Sequence, residues 1–190
     1  NVKVSNLTIE NYSINMPSKD DVGGIAGYAD ASTISNCHVK LTKEKSIVGG
    51  DHVGGLVGRV DGTTITDCSV LSTTNSTVII GNSYVGGAIG GNLKGYREGL
   101  EMTNIKVEAS IAAYEIAGGI IGYANTNGSR FEHSQLDYAG TITAFQSTTT
   151  PRSFGGIVGS SGWVMLLRAC KANVVFALMA KAEKVGGIVG

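Results

Sequence analysis

The chain has 190 residues with fifteen basic and fifteen acidic side chains, so it lacks the basic surface typical of nucleic-acid binding. Its 28 glycines are accompanied by only two prolines, which excludes collagen and proline-rich disorder, and no apolar run approaches the ~20 residues that span a bilayer. We expect a folded protein with no nucleic-acid partner, no membrane-spanning segment and no cofactor.

The first predicted element is a short strand. Residues 4–9 read Val-Ser-Asn-Leu-Thr-Ile, and the last three alternate between apolar and polar, as in a strand with one buried face. The apolar residue before the polar pair lies three positions upstream of the next one, so a bend is needed to return both to the interior. Asn6 occupies that bend, because Asn tolerates the left-handed conformation such a bend uses.

The same element recurs at residues 34–39, 65–70, 102–107, 131–136 and 167–172. This alignment places Asn36, Asp67 and Asn104 at the bend, followed by His133 and Ala169. It also predicts one inward column of side chains, formed by Leu7, Cys37, Cys68, Ile105, Ser134 and Cys170.

A second element, the glycine block, reads apolar-Gly-Gly-apolar-apolar-Gly and occurs six times. The blocks occupy residues 22–27, 53–58, 85–90, 117–122, 154–159 and 185–190. Their first glycines are 31, 32, 32, 37 and 31 residues apart, and such a period predicts stacked repeats. The structural glycine pairs are Gly23 and Gly24, Gly54 and Gly55, Gly86 and Gly87, Gly118 and Gly119, Gly155 and Gly156, and Gly186 and Gly187.

Two apolar columns run through the glycine blocks. Position one contributes Val22, Val53, Val85, Ala117, Phe154 and Val185, and position four contributes Ile25, Leu56, Ala88, Ile120, Ile157 and Ile188. In a flat strand these columns face opposite sides, so either the sheet is covered on both faces or a bulge turns both columns inward. We favour the bulge, since paired glycines accept its torsions without a Cβ penalty.

A third segment, rich in β-branched residues, closes each repeat at residues 46–48, 76–80, 110–113, 141–145 and 174–178. Three short strands per repeat predict an all-β fold, a single-stranded right-handed parallel β-helix of about six coils of roughly 31 residues. We expect residues 1–190 to form one continuous segment of a longer chain, with coils beginning near 22, 53, 85, 117, 154 and 185. Extra residues at 92–101 and 146–153 predict projecting loops.

The residues with reactive side chains suggest no catalytic site and no metal site. Cys37 and Cys68 fall in adjacent coils, within disulfide range, but we favour buried free thiols because stacked side chains point the same way. Cys170 is too far along the stack to pair with either. His38, His52 and His133 fall in unrelated columns, which favours surface histidines over a metal site.

Stacked acids and one exposed column remain as candidates for binding or catalysis. Asp20, Asp21 and Asp51, and Asp30 with Asp61, could converge from adjacent coils, although Asp is also a common turn residue. The position after the last glycine of a block holds Tyr28, Arg59 and Tyr123. These residue types often carry interface energy, so this column is a candidate surface contact for sugar or protein, and turn-covering side chains are the alternative.

The block Gly-Gly-Leu-Val-Gly at residues 54–58, with its five variants, resembles the GLUG motif of bacterial surface and secreted proteins. The segment Ile-Thr-Asp-Cys-Ser-Val at 65–70 is similar to the usual companion strand of that motif. The resemblance implies a secreted or cell-surface location, beside adhesin-like domains, immunoglobulin A peptidases or glycan-degrading enzymes. It implies no catalytic residue, and the zinc signature His-Glu-x-x-His of such peptidases is missing here.

Three functions are consistent with this sequence. The first is a non-catalytic scaffold or adhesion segment, whose partners are other domains of the same polypeptide or a host glycan or protein. The second is the wall of a large secreted peptidase, docked on its catalytic domain. The third is a glycan-degrading β-helix that uses Asp30, Asp61 or nearby acids. We favour the first, because the recurring positions are packing and turning residues.

Overall fold

The computed structural model describes residues 1–44, 46–92, 100–125, 131–146, 152–162, 165–178 and 182–190. These residues form strands and turns only, with no helix among them. The strands are parallel and stack turn upon turn, so the fold is an all-β parallel solenoid with three sheets, as the sequence predicts. Most of the predicted loops at 92–101 and 146–153 lies outside the described residues.

The strands are short, and most of them begin close to the positions at which the sequence repeats. In chain order they are β1 (Lys3–Glu10), β2 (Ile14–Asn15), β3 (Val22–Gly23), β4 (Ala26–Asp30), β5 (Thr33–Leu41), β6 (Ile47–Val48), β7 (Val53–Gly54), β8 (Val57–Asp61), β9 (Thr64–Ser72), β10 (Thr77–Gly81), β11 (Val85–Gly86), β12 (Ile89–Asn92), β13 (Glu101–Glu108), β14 (Ser110–Ala113), β15 (Ile116–Gly118), β16 (Ile121–Ala124), β17 (Phe131–Ala144), β18 (Ser153–Gly155), β19 (Val158–Ser161), β20 (Met165–Arg168), β21 (Lys171–Leu178) and β22 (Lys184–Gly186).

Three sheets run along the stack. Sheet A has eleven strands in the order β1-β5-β9-β13-β17-β14-β10-β6-β2, with β20 and β21 also paired to β17. It holds both the alternating strands and the segments that close each repeat, because β17 runs through both of them without a break. Sheet B has the order β22-β18-β15-β11-β7-β3, and sheet C has the order β19-β16-β12-β8-β4.

The stack makes about five turns, one fewer than the six coils predicted. Sheet B contains one strand from each of the six glycine blocks, and six stacked strands are separated by five turns. In the last block the second half contributes only an isolated bridge between Val158 and Val189. The period itself is as predicted, since Val22 pairs with Val53 and Val53 with Val85.

Each glycine block forms a corner, where the sequence predicted one bulged strand. The first two residues of the block belong to sheet B and the last two to sheet C, and the chain turns between them. Both apolar columns consequently face the interior, which agrees with the inward-turning interpretation. Val53 and Leu56, which represent the two columns in one block, are both fully buried.

The predicted register of the fifth alternating strand, at residues 131–136, is wrong by two residues. Met102 pairs with His133 and Ile105 pairs with Leu136, so Leu136 takes the place in the buried column that was predicted for Ser134. Ser134 is only half-buried. The bend falls at Gln135, with φ of 54°, and not at His133. The motif was misaligned because the buried His133 occupies the position that an apolar residue, such as Met102 or Ile65, holds in the neighbouring coils.

The left-handed bend is otherwise where the sequence places it. Asn6, Asn36, Asp67, Asn104 and Ala169 have φ between 48° and 56°. Their exposed side chains form part of a ladder, in which the Asn36 amide donates to the side-chain oxygen of Asn6 at 2.7 Å. The amide of Asn104 donates in the same way to the carboxylate of Asp67.

Candidate functional site

The glycine pairs lie where two segments of backbone approach closely. A Cβ on Gly54 would overlap the carbonyl oxygen of Val57 and lie 2.7 Å from that of Ala88. A Cβ on Gly55 would meet Val70 of sheet A at 2.8 Å and overlap the carbonyl oxygen of Gly87. Real Cβ atoms do not reach such distances, so the corner requires glycine for space.

The prediction that these glycines are needed for their backbone torsions is wrong. Among the described glycines only Gly62 and Gly140 have positive φ, and neither belongs to a block. An alanine could therefore adopt the backbone conformation of the corner, but its methyl group would not fit. Packing, and not conformational freedom, explains the recurrence of glycine here.

Backbone hydrogen bonds connect successive corners. The N–H groups of Leu56 and Val57 both donate to the carbonyl of Ala88, at 2.8 and 3.1 Å. The N–H groups of the following corner, at Ala88 and Ile89, both donate to Ile120 at 3.0 Å. Two donors converge on one acceptor at each turn, which satisfies the backbone groups that a corner would otherwise leave unpaired.

The three cysteines are free. Cys37 and Cys68 are buried in adjacent coils, and Cys170 is half-buried. The thiol of Cys68 lies 3.1 Å from the carbonyl oxygen of Thr66. Burial raises the pKa of Cys68 to about 11, so this thiol stays protonated and unreactive at neutral pH.

The three histidines differ in environment, and the surface prediction is wrong for His133. His38 is half-buried on sheet A, with Nδ1 at 2.9 Å from the hydroxyl of Ser69. His133 is fully buried, and burial lowers its pKa to about 4. His52 is mostly buried and belongs to the ribbon described next. No cluster of three metal-binding side chains occurs among the described residues.

A continuous ribbon of polar and aromatic side chains, which we name the corner ribbon, is the strongest candidate contact surface. It contains the predicted residues Tyr28, Arg59 and Tyr123, joined by Asp21, His52 and Tyr84. Tyr28 and Arg59 pair across adjacent strands of sheet C, and Gly91 and Tyr123 continue this column. Tyr28 and Tyr123 are therefore three coils apart, roughly 14 Å.

The contacts of the ribbon begin at its Tyr28 end. The guanidinium carbon of Arg59 lies 4.6 Å from the ring centre of Tyr28. Arg59 Nη2 is 3.0 Å from Asp21 Oδ2, and His52 Nδ1 is 3.5 Å from Asp21 Oδ1. Asp21 therefore lies between a permanent cation and a titratable one.

The second half of the ribbon is aromatic. The rings of His52 and Tyr84 stack with centres 4.9 Å apart, and Tyr84 lies 5.0 Å from Tyr123. Gly91 makes room for this stack, because a Cβ there would lie 2.9 Å from the His52 ring. His52 and Tyr84 have φ of 54° and 56°, an uncommon conformation for such residues.

Burial dominates the electrostatics of the ribbon. It lowers the pKa of His52 despite the opposing effect of Asp21, so the imidazole is mainly neutral at pH 7. Burial also raises the pKa of Tyr84, with a further contribution from Tyr123. The left-handed backbone costs about 1–2 kcal/mol at each of His52 and Tyr84, whereas an aromatic stack contributes about 0.5–1.5 kcal/mol. The stack therefore offsets part of that backbone cost.

The predicted acids come from adjacent coils and are stacked. Asp30 and Asp61 are register partners on sheet C and raise the pKa of the nearby Tyr28, after the larger effect of burial. Asp20 accepts a hydrogen bond of 2.9 Å from the backbone of Asp51. Burial, and then the charge of Asp20, raise the pKa of the Asp51 carboxyl. Asp20 thus serves a turn between coils, which is the structural alternative for these residues.

Asp21, His52 and Tyr84 are the ribbon residues that the sequence pattern did not connect with Tyr28, Arg59 and Tyr123. All three occupy the position immediately before a glycine block. An alignment on the blocks would have grouped these three residues. Their contact with Tyr28, Arg59 and Tyr123, which follow the blocks, depends on the corner. The corner brings the residues before and after a block together.

These features define a parallel β-solenoid with a glycine corner in each coil. The GLUG motif matches residues 21–42 and 49–78, which confirms the resemblance over these two stretches. A search of curated proteins gives no match. No helix in the described part of the chain is both long and apolar enough to cross a membrane.

A solved structure shares the fold of almost the entire chain. It belongs to a Bacteroides ovatus protein described as a candidate immunoglobulin A1 protease, with a TM-score of 0.69 and 18% identity. The similarity covers 99% of this chain and 60% of that one. At this identity the likeness establishes the solenoid fold and does not extend to activity.

Proposed function

We propose that this chain is a non-catalytic scaffold in a secreted or cell-surface bacterial protein, where it holds other domains of the same polypeptide in position. The observation that carries this proposal is the glycine corner. The first and second glycines of each block from Gly23 to Gly156 would bring a Cβ within 3 Å of backbone from the same or a neighbouring corner. The recurring residues are therefore used in packing one coil on the next.

Two further observations support a scaffold. The chain corresponds to 60% of a longer solved chain, as expected for a segment that accompanies other domains. Backbone hydrogen bonds join each coil to its neighbours through the corners, so the coils are held together along the axis of the stack. The glycine blocks of this chain resemble the GLUG motifs of bacterial surface proteins, which supports the proposed secreted or cell-surface location.

Deleting one complete coil tests the scaffold proposal. Removal of residues 54–85 joins Val53 to Gly86 and restores an intact glycine block. Because each coil contacts only its neighbours, we expect a folded protein that is shorter by one strand spacing, about 4.8 Å. Circular dichroism reports the fold and small-angle scattering reports the length. Global unfolding of the deletion variant would argue against a modular scaffold.

The catalytic alternative is tested on the intact chain. Asp30 and Asp61 are stacked acids, so a glycan-degrading solenoid would place its chemistry there. We expect no turnover of a panel of polysaccharides and glycoproteins. Turnover that is abolished by Asp61→Asn would establish an enzyme and overturn the proposal.

A second candidate function is the wall of a secreted peptidase. The observation that favours it is the fold shared with the candidate immunoglobulin A1 protease. Limited proteolysis of the full-length parent separates the two functions. A spacer should be released as a stable fragment without loss of any parent activity, whereas a docked wall should resist release or cause activity to fall.

A further inference from the structure

A groove of about 410 Å³ lies on the outer surface of sheet A, away from the corner ribbon. It is lined by Ser13, Asn15, Val48, Ile80, Tyr114 and Phe145. These residues come from successive coils, so the groove runs along the axis of the solenoid. Its volume is in the range of small-molecule sites, which span roughly 300–1,000 Å³.

The floor of the groove follows the strand register. Asn15 pairs with Val48, and Val48 pairs with Ile80. Their neighbours Ile14, Ile47 and Ile79 face the core, so the floor residues point outward by the alternation of the strands. Val48 and Ile80 are half-buried, although they lie on the outer face. The floor is therefore apolar in the middle and polar at the Asn15 end.

Two aromatic rings form the wall of the groove. The rings of Tyr114 and Phe145 have centres 5.1 Å apart and are inclined at 46°, so they form an angled surface. Tyr114 is 41% exposed, which leaves much of its ring available to a ligand. Phe145 is half-buried beside it.

A buried arginine fixes this wall. Arg152 is only 3% exposed, and its Nε donates to the carbonyl of Tyr114 at 3.0 Å. Its Nη2 donates to the carbonyl of Phe145. The backbone of both aromatic residues is also tied to adjacent coils, since Phe145 donates to Ala113 and Tyr114 donates to Asn82. Aromatic side chains on a fixed backbone lose little entropy on binding.

The groove has the chemistry of a neutral sugar site. None of its six lining residues carries a charge, so it offers no oppositely charged partner for a carboxylate, a phosphate or a basic side chain. Its rings and aliphatic floor suit the apolar faces of pyranose rings, and the Ser13 hydroxyl and Asn15 amide suit sugar hydroxyls. We propose that this groove binds a neutral oligosaccharide, which lies along the solenoid axis.

The orientation follows from the stacking of the coils. The lining residues reach from the coil of Asn15 to that of Phe145, four strand spacings or roughly 19 Å. An extended chain of sugars can follow such a path, whereas a single monosaccharide would contact only one part of it. The proposal goes beyond the scaffold function and does not depend on it, because a scaffold needs no ligand.

Calorimetric titration of the full chain tests the site. The probes are hexasaccharides of β-1,4-linked glucose and of β-1,4-linked N-acetylglucosamine, with hexagalacturonic acid as the charged comparison. We expect a neutral probe to bind, with an affinity that changes little with salt. Tyr114→Ala should weaken binding at least about tenfold, and Tyr114→Phe should retain most of it. Val175→Ala, at an exposed apolar residue outside the groove, is the matched control and should bind as the wild type does.

Three results would overturn the proposal. The first is failure of both neutral hexasaccharides to bind at millimolar concentration. The second is binding that Tyr114→Ala does not weaken in a variant with an unchanged circular dichroism spectrum. The third is preference for the acidic probe, which would indicate a different surface. None of these results bears on the coil-deletion experiment, so the scaffold function is judged separately.

Discussion

Replacing the second glycine of one block tests the packing explanation of the corner. In Gly87→Ala, the new methyl group would overlap the carbonyl oxygen of Gly119 and lie 2.6 Å from Cγ1 of Val107. Gly87 does not have a positive φ, so the substitution introduces no backbone strain of its own. Gly187→Ala is the matched control, because it changes the same position of another block and nothing lies within 4 Å of its Cβ.

The expected loss follows from the contacts. Overpacking a well-packed site costs about 1–3 kcal/mol. The coils must also separate at this corner, where the N–H groups of Ala88 and Ile89 donate to Ile120, and each weakened hydrogen bond costs about 1 kcal/mol. We therefore expect Gly87→Ala to lower the free energy of unfolding by about 3–5 kcal/mol. For a protein of this size, 1 kcal/mol corresponds to about 2–4 °C in Tm.

Urea and thermal unfolding of both variants, followed by far-ultraviolet circular dichroism, measure this difference. Gly187→Ala should stay within about 0.5 kcal/mol of the wild type. If Gly87→Ala is no less stable than Gly187→Ala by the same measurement, the close backbone approach is not what requires glycine. The packing account of the glycine corner would then be refuted.

Three further predictions follow from individual side chains. Ala169 is an exposed residue with φ of 50°, so Ala169→Asn should stabilise the protein by about 0.5–1 kcal/mol and raise its Tm, since Asn tolerates this conformation better. His133 has a pKa of about 4 in the fold and about 6.5 when unfolded. The unfolded state therefore binds the proton more readily, and stability should fall by roughly 3 kcal/mol as pH decreases from 6.5 to 4. His133→Leu should remove that dependence in urea unfolding at each pH, and an unchanged slope would exclude His133 as its source. In the native protein a thiol reagent should modify Cys170 first, while Cys37 and Cys68 react only on unfolding, and equal rates would contradict their burial.

The repeat made most of the fold predictable. The period of the glycine blocks predicts parallel stacking, and the register partners Val22, Val53 and Val85 follow it directly. The left-handed bend could be predicted at Asn6 and Asn36, because Asn is common in that conformation. At residues 131–136 the local pattern was ambiguous by two positions, and only pairing with the neighbouring strand decided it.

The candidate sites were less predictable than the fold. Tyr28, Arg59 and Tyr123 share a repeat position, so the sequence grouped them. The contact between Arg59 and Asp21 crosses the corner and has no counterpart in the linear pattern. The wall of the groove was missed entirely, since Tyr114 and Phe145 lie in the least regular part of each repeat.

The sequence alone determined that equivalent residues of successive coils stack in parallel, because a side chain that recurs at each period can be buried only against its own copies. The tertiary structure decided which surfaces those coils expose. Whether a glycine is needed for its torsions or for its lack of a side chain depends on the distance to atoms of another coil, as at Gly55 and Gly87. The backbone carbonyl of Tyr114 likewise accepts a hydrogen bond from Arg152, 38 residues away in the chain. Such distances arise only when the coils are packed, so no local pattern contains them.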